Sequence, residues 1–126
     1  MQYIVFVGRV CFALIFIVAA PRHFSQAGIR HAADLGVPFA NLVVPLSGVM
    51  ALAGGLSVLL GYQANYGAWL LAAFLVPVTL GMHRFWVQTD PVMRHTQLAM
   101  FAKNVALLGA ALMLTNADIG AWRLSR

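Results

Sequence analysis

Four long apolar segments constrain the fold of this chain more than any other feature. They cover residues 3–20, 41–61, 66–86 and 97–114. Each is near the roughly 20 residues that an α-helix needs to cross about 30 Å of hydrocarbon. A transmembrane β-barrel would instead show strands of about 10 residues with alternating polarity. The sequence therefore predicts an all-α, polytopic membrane protein, a single domain over residues 1–126 built as a bundle of four transmembrane helices.

Composition supports the membrane assignment and narrows the partners. Of the 126 residues, 62% are hydrophobic and 9% are charged, whereas a soluble domain has about 45–50% apolar and about 25% charged residues. The 8 Lys and Arg residues outnumber the 3 acidic ones and fall mostly beside the apolar segments, where cations meet anionic lipid headgroups. We therefore expect the lipid bilayer as a partner and no nucleic acid. Cys11 is the only cysteine, which excludes an intramolecular disulfide and CxxC chemistry.

The loops predict the topology. Four spans place loops one and three on one side of the membrane and both termini on the other. The first span is longer than a usual signal-peptide core, so we expect a retained helix. Arginines around loops one and three favour a cytoplasmic position for these loops. Loop one also predicts a short amphipathic helix at the membrane interface, because apolar and charged side chains are interspersed there. These are Phe24, Ile29, Ala33 and Leu35 with Arg30, His31 and Asp34.

A lysine and an asparagine lie side by side within the fourth span. A lysine at mid-helix costs at least about 2.5–3.5 kcal/mol on insertion scales, and such residues are usually paired or functional. The helical neighbours of the lysine at i−4, i+3 and i+7 are all small: Ala99, Ala106 and Ala110. This spacing is typical of helix–helix contacts, so we expect Lys103 to point into the bundle, with Asn104 on the stripe of Gln97 and Ala111. The alternative is that Lys103 snorkels to the surface while Asn104 ties helices together.

The third span supplies polar groups near the same end of the bundle. Thr79, His83 and Trp86 follow i, i+4, i+7 spacing and are expected on one helical face. Pro77 frees the carbonyl of Ala73, and a kink there could widen the bundle beside His83. The alternative for His83 is an interfacial histidine beside a belt tryptophan.

Arg9 enters the first span from the opposite end. No span contains a carboxylate, so neither Arg9 nor Lys103 has an acidic partner within the membrane. Backbone carbonyls and water, or an electron-rich ligand, could take that place, and the absence of acids argues against a cation or proton relay. The hypothesis is a ligand site that opens towards loops one and three. Its candidate residues are Lys103, Asn104, His83, Trp86, Arg9 and Thr79, with Arg22, His23 and Arg84 at the rim.

Several stretches of the sequence resemble the DoxX family of small bacterial membrane proteins. They read GRVCFALIFIVAA, LGVPFANLVVPLSGVMALAGGLSVLLGY, HRFW and FAKNVALLGAAL, and they extend over roughly residues 5–115. The resemblance implies a four-helix protein of the bacterial inner membrane. It also implies association with membrane or periplasmic oxidoreductases, because the family name derives from a subunit linked to thiosulfate–quinone oxidation. The chain reads APRHFS where members often carry a glycine and a lysine, so no role is carried over to that segment.

Three functions remain open. The first is a quinone-like or oxyanion-like ligand site in an accessory component of an oxidoreductase. Lys103, Asn104 and His83 would offer hydrogen bonds to a carbonyl, and Trp86 an aromatic wall. The second is a structural assembly partner, including a homo-oligomer, without ligand chemistry. The third, haem binding, needs axial histidines on facing helices, and because only His83 lies on a span, haem is disfavoured. Quinone is the candidate cofactor, and no metal site is expected.

Overall fold

The computed structural model describes residues 2–119 and 123–124, and these residues form helices and connecting turns without strands. The helices are α1, Gln2–Ala19; α2, Gln26–Asp34; α3, Ala40–Leu60; α4, Ala64–Met82; and α5, Pro91–Leu114. Two 3-10 turns, Ala20–Phe24 and Phe85–Val87, follow α1 and α4. Within this described part of the chain, α1, α3, α4 and α5 are long and apolar enough to cross a membrane. The all-α prediction with four spans is therefore confirmed, and α2 is the short helix expected in loop one.

Capping residues determine where the helices begin and end. The Ser25 hydroxyl accepts a hydrogen bond from the Gly28 amide and starts α2. The Asp90 carboxylate accepts from the Met93 amide and starts α5, whose first residue is a proline. Both side chains satisfy amides that have no partner within the helix. Gly61 ends α3 with a φ of +66°, a left-handed conformation that glycine adopts at little cost.

The central helix is α3, which packs against α1 on one side and α4 on the other, while α5 packs mainly on α4. Glycines on α3 permit the close approach of α1 and α4 to its backbone. A Cβ atom at Gly54 would lie 2.7 Å from the Leu71 side chain, and one at Gly55 would lie 3.0 Å from Ile17. The small residues of α3 therefore form a packing surface for the neighbouring helices. The buried core between the long helices includes Ala13, Phe16, Ala51, Val58, Leu71, Phe74, Leu75 and Ala111.

The bundle has two ends with different contents. We call the first the tail end, where Arg9 near the start of α1 contacts Ile119 beyond α5 and the Leu124 amide donates to the Leu60 carbonyl. The second is the loop-one end, where α1 finishes, α2 lies, α3 begins, and α4 passes into α5. All of the polar contacts described below, except those of Arg9, lie at the loop-one end or in α5.

Helix α2 covers the loop-one end. Its Ile29 and Ala32 are buried against Ala40 and Val44 of α3. The expected amphipathic pattern is present, with one correction: Ala33 is exposed rather than on the apolar side. The buried residues of α2 are Gly28, Ile29 and Ala32. Because each residue turns an α-helix by about 100°, these three share one face and Ala33 lies beyond its edge.

Candidate functional site

A cavity of about 410 Å³ lies beneath α2, between the start of α3 and the end of α4. Its volume is within the range of small-molecule sites. The walls are mainly apolar and include Val44, Pro77, Val78, Gly81 and Met82. Polar side chains of the lining are few and belong to Arg22, His23, His31, Ser47 and Arg84. The cavity therefore combines an apolar interior with cations and hydrogen-bonding groups, and the described residues that line it include no carboxylate side chain.

His23 is held at the cavity by α3. Its Nδ1 atom lies 2.7 Å from the Ser47 hydroxyl oxygen, and that hydroxyl lies 2.6 Å from the Val44 carbonyl oxygen. The His23 ring also packs on the Phe74 ring, with 5.5 Å between the centroids. These contacts require His23 to lie close to the backbone of α3 at Gly48. A Cβ atom at Gly48 would lie 2.6 Å from the His23 Cβ, so a larger residue there would displace the histidine. The orientation of the imidazole is thus set by Ser47 and Gly48 of α3 and by Phe74 of α4.

Two arginines lie at the cavity from different elements. Arg84 follows α4 and donates a hydrogen bond through Nη2 to the carbonyl of Leu35, the residue that follows α2. Arg22 belongs to the turn after α1 and has an exposed side chain. Arginine has five N–H donors and no acceptor, so a guanidinium that holds Leu35 still has donors for an occupant. Arg22, His23 and Arg84, named from the sequence as a rim, lie around one cavity, and their role in binding stays a prediction.

Lys103 does not point into the bundle, and the expectation that it does was wrong. Its side chain is exposed on α5, and Nζ lies 3.7 Å from the Met100 sulfur of the same helix. The alanines at i−4 and i+3, Ala99 and Ala106, are also exposed. Small residues alone do not determine which face of a helix is buried: α5 packs mainly on α4, and it does so through another stripe of residues.

That other stripe contains Gln97, Asn104 and Ala111, spaced by heptads. Asn104 and Ala111 are the buried residues of α5, and Gln97 Oε1 lies 2.9 Å from His83 Nδ1. Asn104 is 5% exposed, which agrees with the alternative in which it joins helices. Thr79 of α4 is also buried, at 6% exposure. Neither residue lines the cavity beneath α2.

His83 and Trp86 do not share a helical face with Thr79, so this expectation was also wrong. Helix α4 ends at Met82, and His83 takes non-helical backbone angles of φ −120° and ψ 51°. Trp86 lies in the following 3-10 turn, with its ring 5.9 Å from the Phe101 ring of α5. Both side chains connect the end of α4 to α5 rather than facing the cavity.

Arg9 lies at the tail end, away from the cavity. Its side chain is 3% exposed, and Nη1 donates a 2.9 Å hydrogen bond to the Ile119 carbonyl. The guanidinium also lies over the Phe6 ring, 5.3 Å from its centroid. A backbone carbonyl therefore takes the place of the acidic partner that the span lacks.

Two residues that line the cavity, Ser47 and His31, were not predicted from the sequence as ligand contacts. Ser47 of α3 was not among the candidate residues, and His31 was predicted only as part of the interfacial helix. The partner of Ser47, His23, lies 24 positions earlier in the chain. Helical spacing detects neighbours on one helix, so no spacing rule would have connected these two residues.

These features define a multi-pass membrane protein of four long apolar helices with a ligand-sized cavity under a short interfacial helix. The DoxX family profile matches residues 4–84, more than half of the 126-residue chain. The chain therefore belongs to the DoxX family. The match ends before α5, so Lys103 and Asn104 lie outside it. No curated protein and no solved structure matches the chain.

Proposed function

We propose that this DoxX-family protein binds a small amphipathic ligand in the cavity beneath α2. The ligand would have an apolar body and an electron-rich oxygen head, as a quinone does. The observation that carries the proposal is the 410 Å³ cavity, in which apolar walls adjoin Arg22, Arg84 and His23. An apolar pocket with a few convergent polar groups is the usual form of a small-molecule site.

The polar groups at the cavity favour an oxygen head. Arg22 and Arg84 can only donate hydrogen bonds, and carbonyl or anionic oxygens accept them. The apolar walls favour a ligand with a hydrophobic body over a free, strongly hydrated oxyanion, because such an ion would lose its hydration beside Val78 and Met82. A quinone-like ligand therefore fits this surface better than a free oxyanion.

We infer a biological role from the ligand class and the family. A quinone carrier in the membrane exchanges electrons with oxidoreductases, so a protein that binds its head would act as an accessory component of such a system. The corresponding location is the bacterial inner membrane, with both termini on the side opposite loops one and three. Reporter fusions at the two ends of the chain test this topology, and opposite locations for the two reporters contradict it.

Binding of menadione, a soluble quinone head, tests the proposal directly. The protein is placed in lipid nanodiscs, and saturable binding is measured by calorimetry against empty nanodiscs. Gly81→Leu should abolish binding, because a Cβ atom at Gly81 meets only Val37, at 3.9 Å, and the longer side chain would enter the cavity. Gly8→Leu is the matched control, since a Cβ atom there meets nothing within 4 Å and the residue lies outside the cavity.

The outcomes separate the hypotheses. Binding that survives in Gly8→Leu and is lost in Gly81→Leu supports the cavity as the site. Equal binding by both variants places menadione elsewhere and contradicts the proposal. Saturable binding of sulfate in place of menadione would favour the oxyanion alternative.

A second candidate function, structural assembly, is favoured by the outer face of α5. Its small residues are exposed: Ala99, Ala102, Ala106 and Gly109. Such faces permit close helix packing in membranes, and a second copy of the chain is the partner that we propose for it. Gly109→Leu should then convert an oligomer to a monomer in cross-linking and native mass spectrometry. A wild-type protein that is monomeric in nanodiscs contradicts this candidate.

A further inference from the structure

The hydrogen bonds around His23 determine which ring nitrogen carries the hydrogen. The Ser47 hydroxyl oxygen lies 2.6 Å from the Val44 carbonyl oxygen, and a carbonyl only accepts, so the single hydroxyl hydrogen lies between these two atoms. His23 Nδ1 lies 2.7 Å from the same hydroxyl oxygen. Because that hydroxyl has no second hydrogen, Nδ1 must be the donor in this contact.

The consequence is that the other ring nitrogen accepts. In a neutral imidazole one nitrogen is a donor and the other an acceptor, so Nε2 of the neutral His23 ring is an acceptor. The ring lines the cavity, and its hydrogen-bond partners within the described part of the chain are Ser47, through Nδ1, and the Val44 backbone. The Val44 carbonyl oxygen lies 2.6 Å from the Ser47 hydroxyl that Nδ1 contacts, so both partners are on the Nδ1 side of the ring. Nε2 is therefore the polar atom that this ring can offer to an occupant.

We propose that the cavity selects a ligand whose head donates a hydroxyl hydrogen to His23 Nε2, such as a phenol or a reduced quinol. This inference rests on the proposed function and specifies its ligand. If the head carried only carbonyl oxygens, an oxygen facing Nε2 could not form a hydrogen bond, because both atoms are acceptors. A hydroxyl group supplies the missing hydrogen. Arg22 and Arg84 serve other oxygens of the head, since guanidinium groups donate. The reduced form of a quinone is thus the preferred occupant.

Two ligands that differ by one hydrogen-bond donor test this selection in the wild-type protein. 1-Naphthol and 1-methoxynaphthalene share their ring system, but only the naphthol carries a hydroxyl hydrogen. Binding to the full chain in nanodiscs, corrected for empty nanodiscs, should be about tenfold tighter for the naphthol, the effect expected of one hydrogen bond in a desolvated site. Menadiol, kept reduced without oxygen, should likewise bind more tightly than menadione.

A substitution at the acceptor connects the preference to the named atom. His23→Phe keeps an aromatic ring against Phe74 and removes both ring nitrogens, so the naphthol and its methyl ether should bind equally. His95→Phe is the matched control, because His95 is exposed on α5 outside the cavity, and it should keep the tenfold preference. Should His23→Phe fail to fold, the comparison of ligands on the wild-type protein still decides the question.

The hydroxyl could belong to a quinol or to a lipid, and competition distinguishes them. Displacement of naphthol by menadiol indicates a quinol, and displacement by dioctanoylglycerol indicates a lipid hydroxyl; both support a hydroxyl donor at His23. Equal or tighter binding of the methyl ether, or displacement by menadione alone, overturns the selection while leaving the cavity as a quinone site. If neither menadione, menadiol nor naphthol binds saturably, the proposed function itself fails.

Discussion

Arg9 and Ile119 are 110 positions apart in the chain and are joined by a 2.9 Å hydrogen bond from Nη1 to the carbonyl oxygen. The bond connects α1 to the segment that follows α5. Because Arg9 is buried and charged donors form stronger bonds than neutral ones, this contact holds the segment against the tail end of the bundle.

Arg9→Met should release that segment while the spans remain. The methionine keeps apolar bulk but has no donor for the Ile119 carbonyl, and the loss of a charged hydrogen bond amounts to about 1.5–3 kcal/mol. Amide hydrogen exchange over residues 116–119 should accelerate at least tenfold. Arg94→Met is the control, since Arg94 is exposed near the start of α5. Unchanged exchange in Arg9→Met would show that other contacts hold the segment.

Lys103→Met should leave cavity binding unchanged and keep or raise the melting temperature. Lys103 is exposed on α5 and does not line the cavity, and removing a cation from an apolar span removes its insertion cost. The measurements are menadione binding and thermal unfolding in nanodiscs. A stable Lys103→Met variant that no longer binds menadione would contradict this prediction and show that Lys103 contributes to ligand binding.

Gly54→Ala should destabilise the bundle by about 1–3 kcal/mol, the usual cost of overpacking. The new methyl group would lie 2.7 Å from Leu71 Cγ and 3.0 Å from the Gly67 carbonyl oxygen, and the backbone atom cannot rotate away. Gly8→Ala makes the same chemical change where a Cβ atom meets nothing within 4 Å. It should be neutral or slightly stabilising, because alanine favours the helix. Equal melting temperatures for the two variants would contradict close packing of α3 on α4.

The fold was more predictable from the sequence than the site. Span length and apolar composition follow directly from the thickness of the bilayer, and α1 and α3 lie within one residue of their predicted limits. Helix α4 instead ends at Met82 rather than at residue 86, and α5 begins at Pro91 rather than at residue 97. The orientation of Lys103 depended instead on which neighbours α5 has, and a single helix does not carry that information. The positions of His83 and Trp86 depended on where α4 ends. Because α4 ends at Met82, helical spacing does not place these two residues on the face of Thr79.

The cavity illustrates the same limit. Arg22, His23 and Arg84 were named because the loops that carry them share one side of the membrane. Ser47 became a partner of His23 only because the 3-10 turn Ala20–Phe24 packs on Gly48, where a side chain would collide with His23. Such a contact between two helices depends on tertiary packing, which local patterns do not encode.

His83 and Gln97 should show a measurable coupling across the end of α4 and α5. His83 Nδ1 and Gln97 Oε1 are 2.9 Å apart, and since an amide oxygen only accepts, Nδ1 donates. Interhelical hydrogen bonds in membrane proteins average about 0.6 kcal/mol in double-mutant cycles, so His83→Phe and Gln97→Leu together should cost less than the sum of the single changes by about that amount. Unfolding of the four proteins in nanodiscs gives the coupling, and menadione binding should be unaffected because neither residue lines the cavity. If the free-energy costs of the two substitutions are additive, this hydrogen bond does not help to hold α5 against α4. If menadione binding is lost, the ligand site extends to His83.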